Sequence, residues 1–217
     1  MADQPDDPPF EPDHFRKVDE SDDALFYVQP RFVTHIDDDA IAALSEHYRQ
    51  VLPQGGRVLD LMSSWVSHYP DDLLPQRAAG LGMNADELAR NPILTEWVVH
   101  DLNQHPVLPY GDAEFDAVTI AVSVQYLTQP LEVFREIARV LVSGGICVVS
   151  FSNRCFPTKA VWLWQGLGDE GHVQQVGAYF HYTGAFDPPE WFDLSPAKGV
   201  SDPLYVVQGR TGSTTGI

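Results

Sequence analysis

Positively charged side chains are scarce in this 217-residue chain. It has 13 Lys and Arg residues against 31 Asp and Glu residues, which gives a formal net charge of −18 at pH 7. The basic surface with which proteins bind nucleic-acid phosphates is therefore not expected. The same charge repels anionic membranes at long range. We accordingly expect a small-molecule partner, with neither nucleic acid nor membrane as a partner.

Cysteine and long apolar runs are also scarce. The two cysteines, Cys147 and Cys155, lack the spacing of a zinc site or a disulfide scaffold. The histidines show no metal-ligand spacing, so no metal site is predicted. No stretch approaches the roughly 20 apolar residues of a membrane helix, and the first residues lack the apolar segment of a signal peptide. These absences predict a cytoplasmic protein.

The composition otherwise predicts one folded domain with flexible ends. Apolar residues make up 44% of the chain and charged residues 20%, close to the globular average. Residues 1–23 are rich in Asp and Pro and are predicted to form a flexible acidic lead-in. Residues 24–208 are predicted to form a single domain that begins with an apolar arm and a helix at 24–52. Residues 209–217 are predicted to be a flexible tail.

Apolar stretches of strand length alternate with helices and turns along this domain. The predicted strands are 57–62, 78–83, 95–100, 115–122 and 146–151, followed by two candidates near 191–194 and 203–208. The predicted helices are 40–52, a short one at 71–76, 85–91, 130–141 and 158–182. This alternation predicts an α/β fold with a doubly wound, mostly parallel sheet that helices cover on both faces.

Polar residues follow several of these strands, where ligands bind in sheets of this type. Ser63, Ser64 and Ser67 come after the first strand and either line a pocket or form an ordinary turn. Gln125 and Tyr126 follow the fourth strand, and Asn153 and Arg154 the fifth. The Arg154 guanidinium suits a carboxylate or a phosphate. The alternatives are a helix start for Gln125, a core aromatic for Tyr126, and a solvated loop position or an ion pair in this acidic chain for Arg154.

The segment 115–151 (FDAVTIAVSVQYLTQPLEVFREIARVLVSGGICVVSF) contains an apolar strand, an amphipathic helix, a glycine pair and a second apolar strand. With Asp60 ending the first strand and Asp101 following the third, the chain resembles the class I (Rossmann-like) S-adenosylmethionine-dependent methyltransferases over roughly residues 40–208. The resemblance implies S-adenosylmethionine as the cofactor and methyl transfer to a small-molecule acceptor as the reaction.

The sequence departs from the family's pattern at two cofactor positions. The family's Asp-x-Gly-x-Gly motif here reads Asp60-Leu61-Met62-Ser63-Ser64-Trp65, without glycine. Gly82 stands where the family usually has an acid for the ribose hydroxyls, and Asn84 is the suggested substitute. Asp101 matches the acid that accepts from the adenine amino group. The resemblance thus implies these cofactor-binding residues: Asp60, Met62, Ser63, Ser64, Met83, Asn84, Asp101, Leu102, Val122 and Ser123.

Residues 27–36 precede the first strand, where the family often carries a lid over the cofactor. They form either such a lid or an apolar arm that docks on the sheet. His35 and His68 are the candidate general bases, since an imidazole titrates near neutral pH; for His68 an ordinary surface-loop role is the alternative. The predicted substrate-binding residues are Tyr27, Arg31, Trp65, Gln125, Tyr126, Asn153 and Arg154.

The altered glycine loop and the missing ribose acid also permit a second function. A regulatory or non-catalytic protein that kept the fold and binds S-adenosylmethionine or a nucleotide fits the same residues, because fold does not fix function. Another reaction in the same cofactor pocket is a third reading.

Overall fold

The computed structural model describes residues 7–212. One sheet contains the strands β1 (Arg57–Leu61), β2 (Arg77–Gly82), β3 (Glu96–Val99), β4 (Phe115–Ala121), β5 (Leu141–Phe151), β6 (Glu190–Asp193) and β7 (Tyr205–Arg210). Their order is β3-β2-β1-β4-β5-β7-β6. Neighbours from β3 to β5 pair in parallel, and β7 pairs antiparallel with β5 and β6. The predicted mostly parallel, seven-stranded α/β fold is confirmed.

Helices surround this sheet. They are α1 (Asp23–Tyr27), α2 (Asp38–Val51), α3 (Ala85–Arg90), α4 (Pro130–Val140), α5 (Trp162–Gln165) and α6 (Asp169–Thr183), with 3₁₀ turns at Pro12–Phe15 and Val124–Tyr126. None of the helices between residues 7 and 212 has both the length and the apolar composition that crossing a bilayer requires.

Two predicted helices differ from the structure. Residues 71–76 form a turn and a loop rather than a helix. Pro75 lies inside this stretch, where its ring and missing N–H oppose helix formation. The long helix expected over 158–182 is divided into α5 and α6. Gly166 and Gly168 lie between the two parts, and glycine is a poor helix former.

Apolar side chains alternate across the strands and fill a core on each face of the sheet. Leu59, Val118 and Val149 belong to one core, which residues of α4 and α6 complete. Val58 and Val148 belong to the other, which residues of α2 complete. Because both faces are buried, the carboxyl edge of the strands is the place left for ligands.

The residues predicted as a flexible lead-in pack on the domain from residue 7 onward. The rings of Phe10 and Phe15 lie 5.5 and 6.4 Å from that of Tyr179 in α6. Lys17 is buried and forms an ion pair with Asp23. Buried Lys159 lies 3.2 Å from the same carboxylate. Apolar packing and a buried charge cluster thus hold residues 7–23 on the domain.

The C-terminal boundary also differs from the expected residue 208. Strand β7 includes Gly209 and Arg210. Beyond it, the Thr211 hydroxyl donates to the Val142 carbonyl at 2.6 Å. Residues 213–217 of the predicted tail and the first six residues of the predicted lead-in lie outside the described residues.

Candidate functional site

A cavity of about 370 Å³ opens at the carboxyl ends of β1, β2 and β4. The strand order reverses between β1 and β4, which is where open α/β sheets bind ligands. Most of the predicted site residues line this cavity: Tyr27, Arg31, His35, Asp60, Met62, Ser63, Ser64, Trp65, His68, Met83, Asp101, Leu102, Val122, Ser123, Tyr126 and Arg154.

Asp60 organises the loop after β1. It is 3% exposed, and its carboxylate accepts hydrogen bonds from Ser63 Oγ at 2.5 Å, Ser67 Oγ at 2.6 Å and Thr119 Oγ1 at 3.3 Å. Burial raises the pKa of Asp60 to about 6, although the three hydroxyls favour its charged form. The serines therefore hold the loop to the strand end through the carboxylate.

The backbone of this loop adopts glycine-like geometry without glycine. Met62 in this loop has φ 59°. Val122, which follows the neighbouring strand β4, also has a positive φ, of 42°. A left-handed conformation costs a non-glycine residue roughly 1–2 kcal/mol. Strained residues of this kind concentrate at ligand sites.

Gly82 cannot carry the acid that the family pattern expects there. Ser63 donates its N–H to the Leu81 carbonyl at 2.7 Å, which draws the loop onto the end of β2. A Cβ atom on Gly82 would lie 2.2 Å from the Ser63 carbonyl oxygen. The loop backbone thus occupies the space that an aspartate side chain would need.

Asn84 lies outside the lining of the cavity, in contrast to the prediction. Its Oδ1 caps α3 by accepting from the N–H groups of Asp86 at 2.9 Å and Glu87 at 3.1 Å. Its Nδ2 donates to the Tyr27 carbonyl at 2.8 Å. The amide therefore bonds to the start of α3 and to the preceding arm.

Residues 27–35, which we call the lid segment, contribute five residues to the cavity lining and are fastened at three points. Besides the Asn84 bond to Tyr27, the Glu87 carboxylate accepts from Arg31 N–H at 2.7 Å. Trp65 Nε1 donates to the Val33 carbonyl at 3.0 Å. The Arg31 guanidinium lies 4.3 Å above the Phe26 ring, so it packs within this arm.

The two candidate bases both lie in the cavity lining. The His35 ring packs edge-on against Phe156 at 5.4 Å. Burial lowers the pKa of His35, and the negative charge of Glu87 acts in the opposite direction. Burial and nearby His35 lower the pKa of His68 to about 4. Both imidazoles are therefore neutral at pH 7 and able to accept a proton.

The ends of β3 and β4 supply polar groups with spare hydrogen-bonding capacity. Asp101 Oδ1 accepts from Asn103 N–H at 2.8 Å, while Oδ2 receives no hydrogen bond from residues 7–212. Ser123 Oγ is buried and has no partner within that same range. Both residues line the cavity, so both can serve a bound ligand.

Three residues predicted for the substrate side have other surroundings. Gln125 is 1% exposed and donates to the Val122 carbonyl at 3.0 Å, away from the cavity lining. Asn153 is exposed and also lies outside that lining. Arg154 reaches the cavity rim but is paired with Asp202 at 3.1 Å. Tyr126 lines the cavity, and its hydroxyl accepts from Phe156 N–H at 2.9 Å.

Several lining residues escaped the sequence reasoning: Asp23, Glu87, His100, Asn103, Cys155 and Phe156. Asp23 was assigned to the flexible lead-in, and Glu87 to an ordinary helix. An acid in the first turn of a helix is common because it complements the helix dipole. The sequence signal for Glu87 is only its distance of five residues from Gly82.

The family of methyltransferase domains matches residues 78–149. A curated relative, the malonyl-[acyl-carrier protein] O-methyltransferase of Marinomonas sp. (strain MWYL1), is 32% identical over 71 residues, which are 33% of this chain and 26% of the relative. The matched part of this chain thus spans about a quarter of that relative's length.

Solved structures resemble the fold of most of the chain. A chain of the Haloferax volcanii complex that contains the Trm112 methyltransferase activator has a TM-score of 0.60 and 15% identity, covering 83% of this chain and 93% of that one. The S-adenosylmethionine-dependent methyltransferase of Mesorhizobium loti has a TM-score of 0.53 and 17% identity, covering 77% and 97%. At these identities the likeness is one of fold.

Proposed function

We propose that this chain, which has the class I S-adenosylmethionine-dependent methyltransferase fold, transfers a methyl group from that cofactor to a small-molecule acceptor. The observation that carries the proposal is the cavity at the reversal of strand order between β1 and β4. Its volume of about 370 Å³ lies within the range of small-ligand sites.

The chain's own groups fit the cofactor. The Asp101 carboxylate has one oxygen available for an exocyclic amine, and the Ser123 hydroxyl has no other partner among the described residues. The loop after β1 is held in a glycine-like path by Asp60. When bound, S-adenosylmethionine supplies an electrophilic methyl group on a sulfonium. The protein's contribution is to orient the acceptor in line with it.

The acceptor side of the cavity lies beneath the lid segment and contains both imidazoles. The Glu87 charge favours the protonated form of His35, while burial and the Arg31 charge lower the pKa of His35. His68 has no such partner, and His35 opposes its protonation. If the acceptor must lose a proton, we assign that step to His35 Nδ1 or Nε2, with His68 as the second candidate.

The enclosure favours a small acceptor over a macromolecule. The lid segment is bonded to Asn84, Glu87 and Trp65. A small acceptor must therefore fit beneath it, and a macromolecule could insert only a narrow side group. The net charge of −18 also opposes polyanionic acceptors.

Calorimetric titration with S-adenosylmethionine and S-adenosylhomocysteine tests the cofactor assignment. We expect micromolar dissociation constants, equivalent to about −8 kcal/mol. Absence of binding at millimolar ligand contradicts the proposed function. With an acceptor in hand, His35→Ala should lower kcat, whereas the exposed His181→Ala control should not. Unchanged turnover in His35→Ala removes the assignment of that base.

A second candidate function is a regulatory protein that binds S-adenosylmethionine without transferring its methyl group. Two observations favour this alternative. The loop after β1 lacks glycine, and the Asp60 carboxylate is fully engaged within the protein. Binding of radiolabelled cofactor without label transfer to any acceptor in a broad screen would support this alternative over catalysis.

A further inference from the structure

Glu87 is a buried carboxylate whose surroundings do not account for its charge. It is 7% exposed, and carboxylates are seldom buried so deeply unless they are paired. No Lys, Arg or His between residues 7 and 212 lies within ion-pair distance of it. Its bonds are from Arg31 N–H at 2.7 Å and from Ser64 Oγ at 2.6 Å. The carboxylate also lines the cavity, so it has capacity for a ligand that donates hydrogen bonds.

The position of Glu87 is linked to the glycine at the end of β2. The Ser63 carbonyl blocks a side chain on Gly82, and Ser64, the next residue of the loop, contacts Glu87. A Cβ atom on Gly82 would also lie 3.2 Å from Leu88 Cδ2 in α3. The start of α3 and the loop after β1 thus meet beside Gly82, and Glu87 is the carboxylate at that junction.

Building on the proposed function, we propose that Glu87 accepts hydrogen bonds from the ribose hydroxyls of the bound cofactor, in place of the acid that Gly82 cannot carry. The ligand class is a nucleoside with a free vicinal diol. One carboxylate oxygen keeps its bond to Arg31 N–H. The other exchanges the Ser64 hydroxyl for a ribose hydroxyl.

This assignment gives Glu87 two partners of different kinds. Its bond to Arg31 holds the lid segment, and its bond to the ribose would hold the cofactor. Loss of the carboxylate should therefore weaken cofactor binding in a manner that depends on the ribose hydroxyls. A purely structural role in fastening the lid would weaken every ligand alike.

Calorimetry with S-adenosylhomocysteine and its 2′-deoxy and 3′-deoxy analogues separates these cases. In the wild type we expect at least one deoxy analogue to bind roughly tenfold more weakly, since a hydrogen bond to a charged group is lost. In Glu87→Gln, the ratio of the analogue's dissociation constant to that of S-adenosylhomocysteine should fall to within about twofold of unity. The glutamine amide oxygen can still accept from Arg31 N–H, so the variant should fold.

Two controls complete the experiment. Asp86→Asn removes an exposed acid from the same helix turn and should keep the wild-type ratio. Ser64→Ala removes the hydroxyl that bonds to the Glu87 carboxylate, and it should also keep the wild-type ratio of dissociation constants. If Glu87→Gln weakens all three ligands equally, or if Ser64→Ala alone abolishes the ratio, the assignment is overturned. If the wild type binds none of the ligands, the proposed function fails with it.

Discussion

At the scale of single residues, the site contains a buried charged group that lowers the stability of the folded state. Asp60 is buried among three hydroxyls and has no cation bonded to it among the described residues. Burial raises the pKa of Asp60 to about 6, which means that the folded state disfavours its charge. Conformational strain at Met62 adds to this cost. Such costs are typical of residues retained for a ligand rather than for stability.

We therefore expect Asp60→Asn to stabilise the folded protein at pH 7 while weakening S-adenosylhomocysteine binding. The pKa of Asp60 is raised in the folded state, so its contribution to stability is greatest below the unfolded pKa of about 3.9. It is lost as the pH rises through about 6. Two pKa units correspond to roughly 3 kcal/mol.

Urea unfolding from pH 4 to pH 7 measures this effect. The difference in unfolding free energy between Asp60→Asn and the wild type should grow from about pH 4 to pH 6 and then level off. Exposed Asp71→Asn should show no such growth. A variant that is less stable than the wild type at pH 7 would mean that the three hydroxyl bonds outweigh the cost of burial.

At the scale of elements, one amide joins helix α3 to the lid segment. Asn84 caps the helix with its oxygen and fastens Tyr27 with its nitrogen. Capping satisfies two N–H groups that otherwise lack partners at a helix start. The order of the lid therefore depends on a residue that does not line the cavity.

Asn84→Ala and Asn84→Asp separate the two roles of this amide. The alanine variant loses the cap and the lid bond, so we expect a loss of unfolding free energy of about 1–2 kcal/mol. The aspartate variant can still cap the helix but cannot donate to the Tyr27 carbonyl. Limited proteolysis should then cut both variants faster than the wild type within residues 24–36, while urea unfolding detects a marked loss only for alanine. Wild-type protection of the lid in Asn84→Asp would contradict the role of the Nδ2 bond.

The sequence predicts elements where local pattern and tertiary packing agree. In residues 115–151, apolar residues recur with the spacing of a strand, a helix and a second strand, and these residues are buried in the core. The segment forms β4, α4 and β5. The sequence did not predict the packing of residues 7–23, because Phe10, Phe15 and Lys17 gain partners on distant elements. Composition alone contains no information about such long-range contacts.

The positions of the site residues at the strand ends were predictable from the sequence. The hydrogen-bond partners of their side chains were not. The sheet topology places Asp60, Asp101 and Ser123 at one edge, and this follows from the alternation of strands and helices. The surroundings of Gln125 and Asn84 depend on which backbone groups lie near them. Glu87 was missed because a first-turn acid has an ordinary explanation in the helix dipole.

At the scale of the whole molecule, the surplus of negative charge opposes compaction. The net charge is −18, and two of the cations, Lys17 and Lys159, are buried with Asp23. Like charges on the surface therefore repel one another with few cations between them, and self-repulsion of this kind destabilises the compact state.

Screening should relieve this repulsion. Raising KCl from 0.05 to 1 M shortens the Debye length to roughly 3 Å. We expect a gain in stability on the order of 1 kcal/mol at pH 7.5, or roughly 2–4 °C in Tm for a domain of this size. Differential scanning calorimetry measures the shift. Near the sequence pI of about 4.5 the salt effect should vanish, and an equal shift at both pH values would exclude charge repulsion as its cause.

The contact between the Ser63 carbonyl and Gly82 also limits the order in which substitutions in this part of the chain can be introduced. With the loop where it is, an acid introduced at residue 82 meets backbone at 2.2 Å from its Cβ, and a main-chain atom cannot turn aside as a flexible side chain can. A lineage that carries this loop must rebuild it before an acid at that strand end becomes tolerable. We therefore expect the two positions to be epistatic, because the effect of an acid at residue 82 depends on the conformation of the loop.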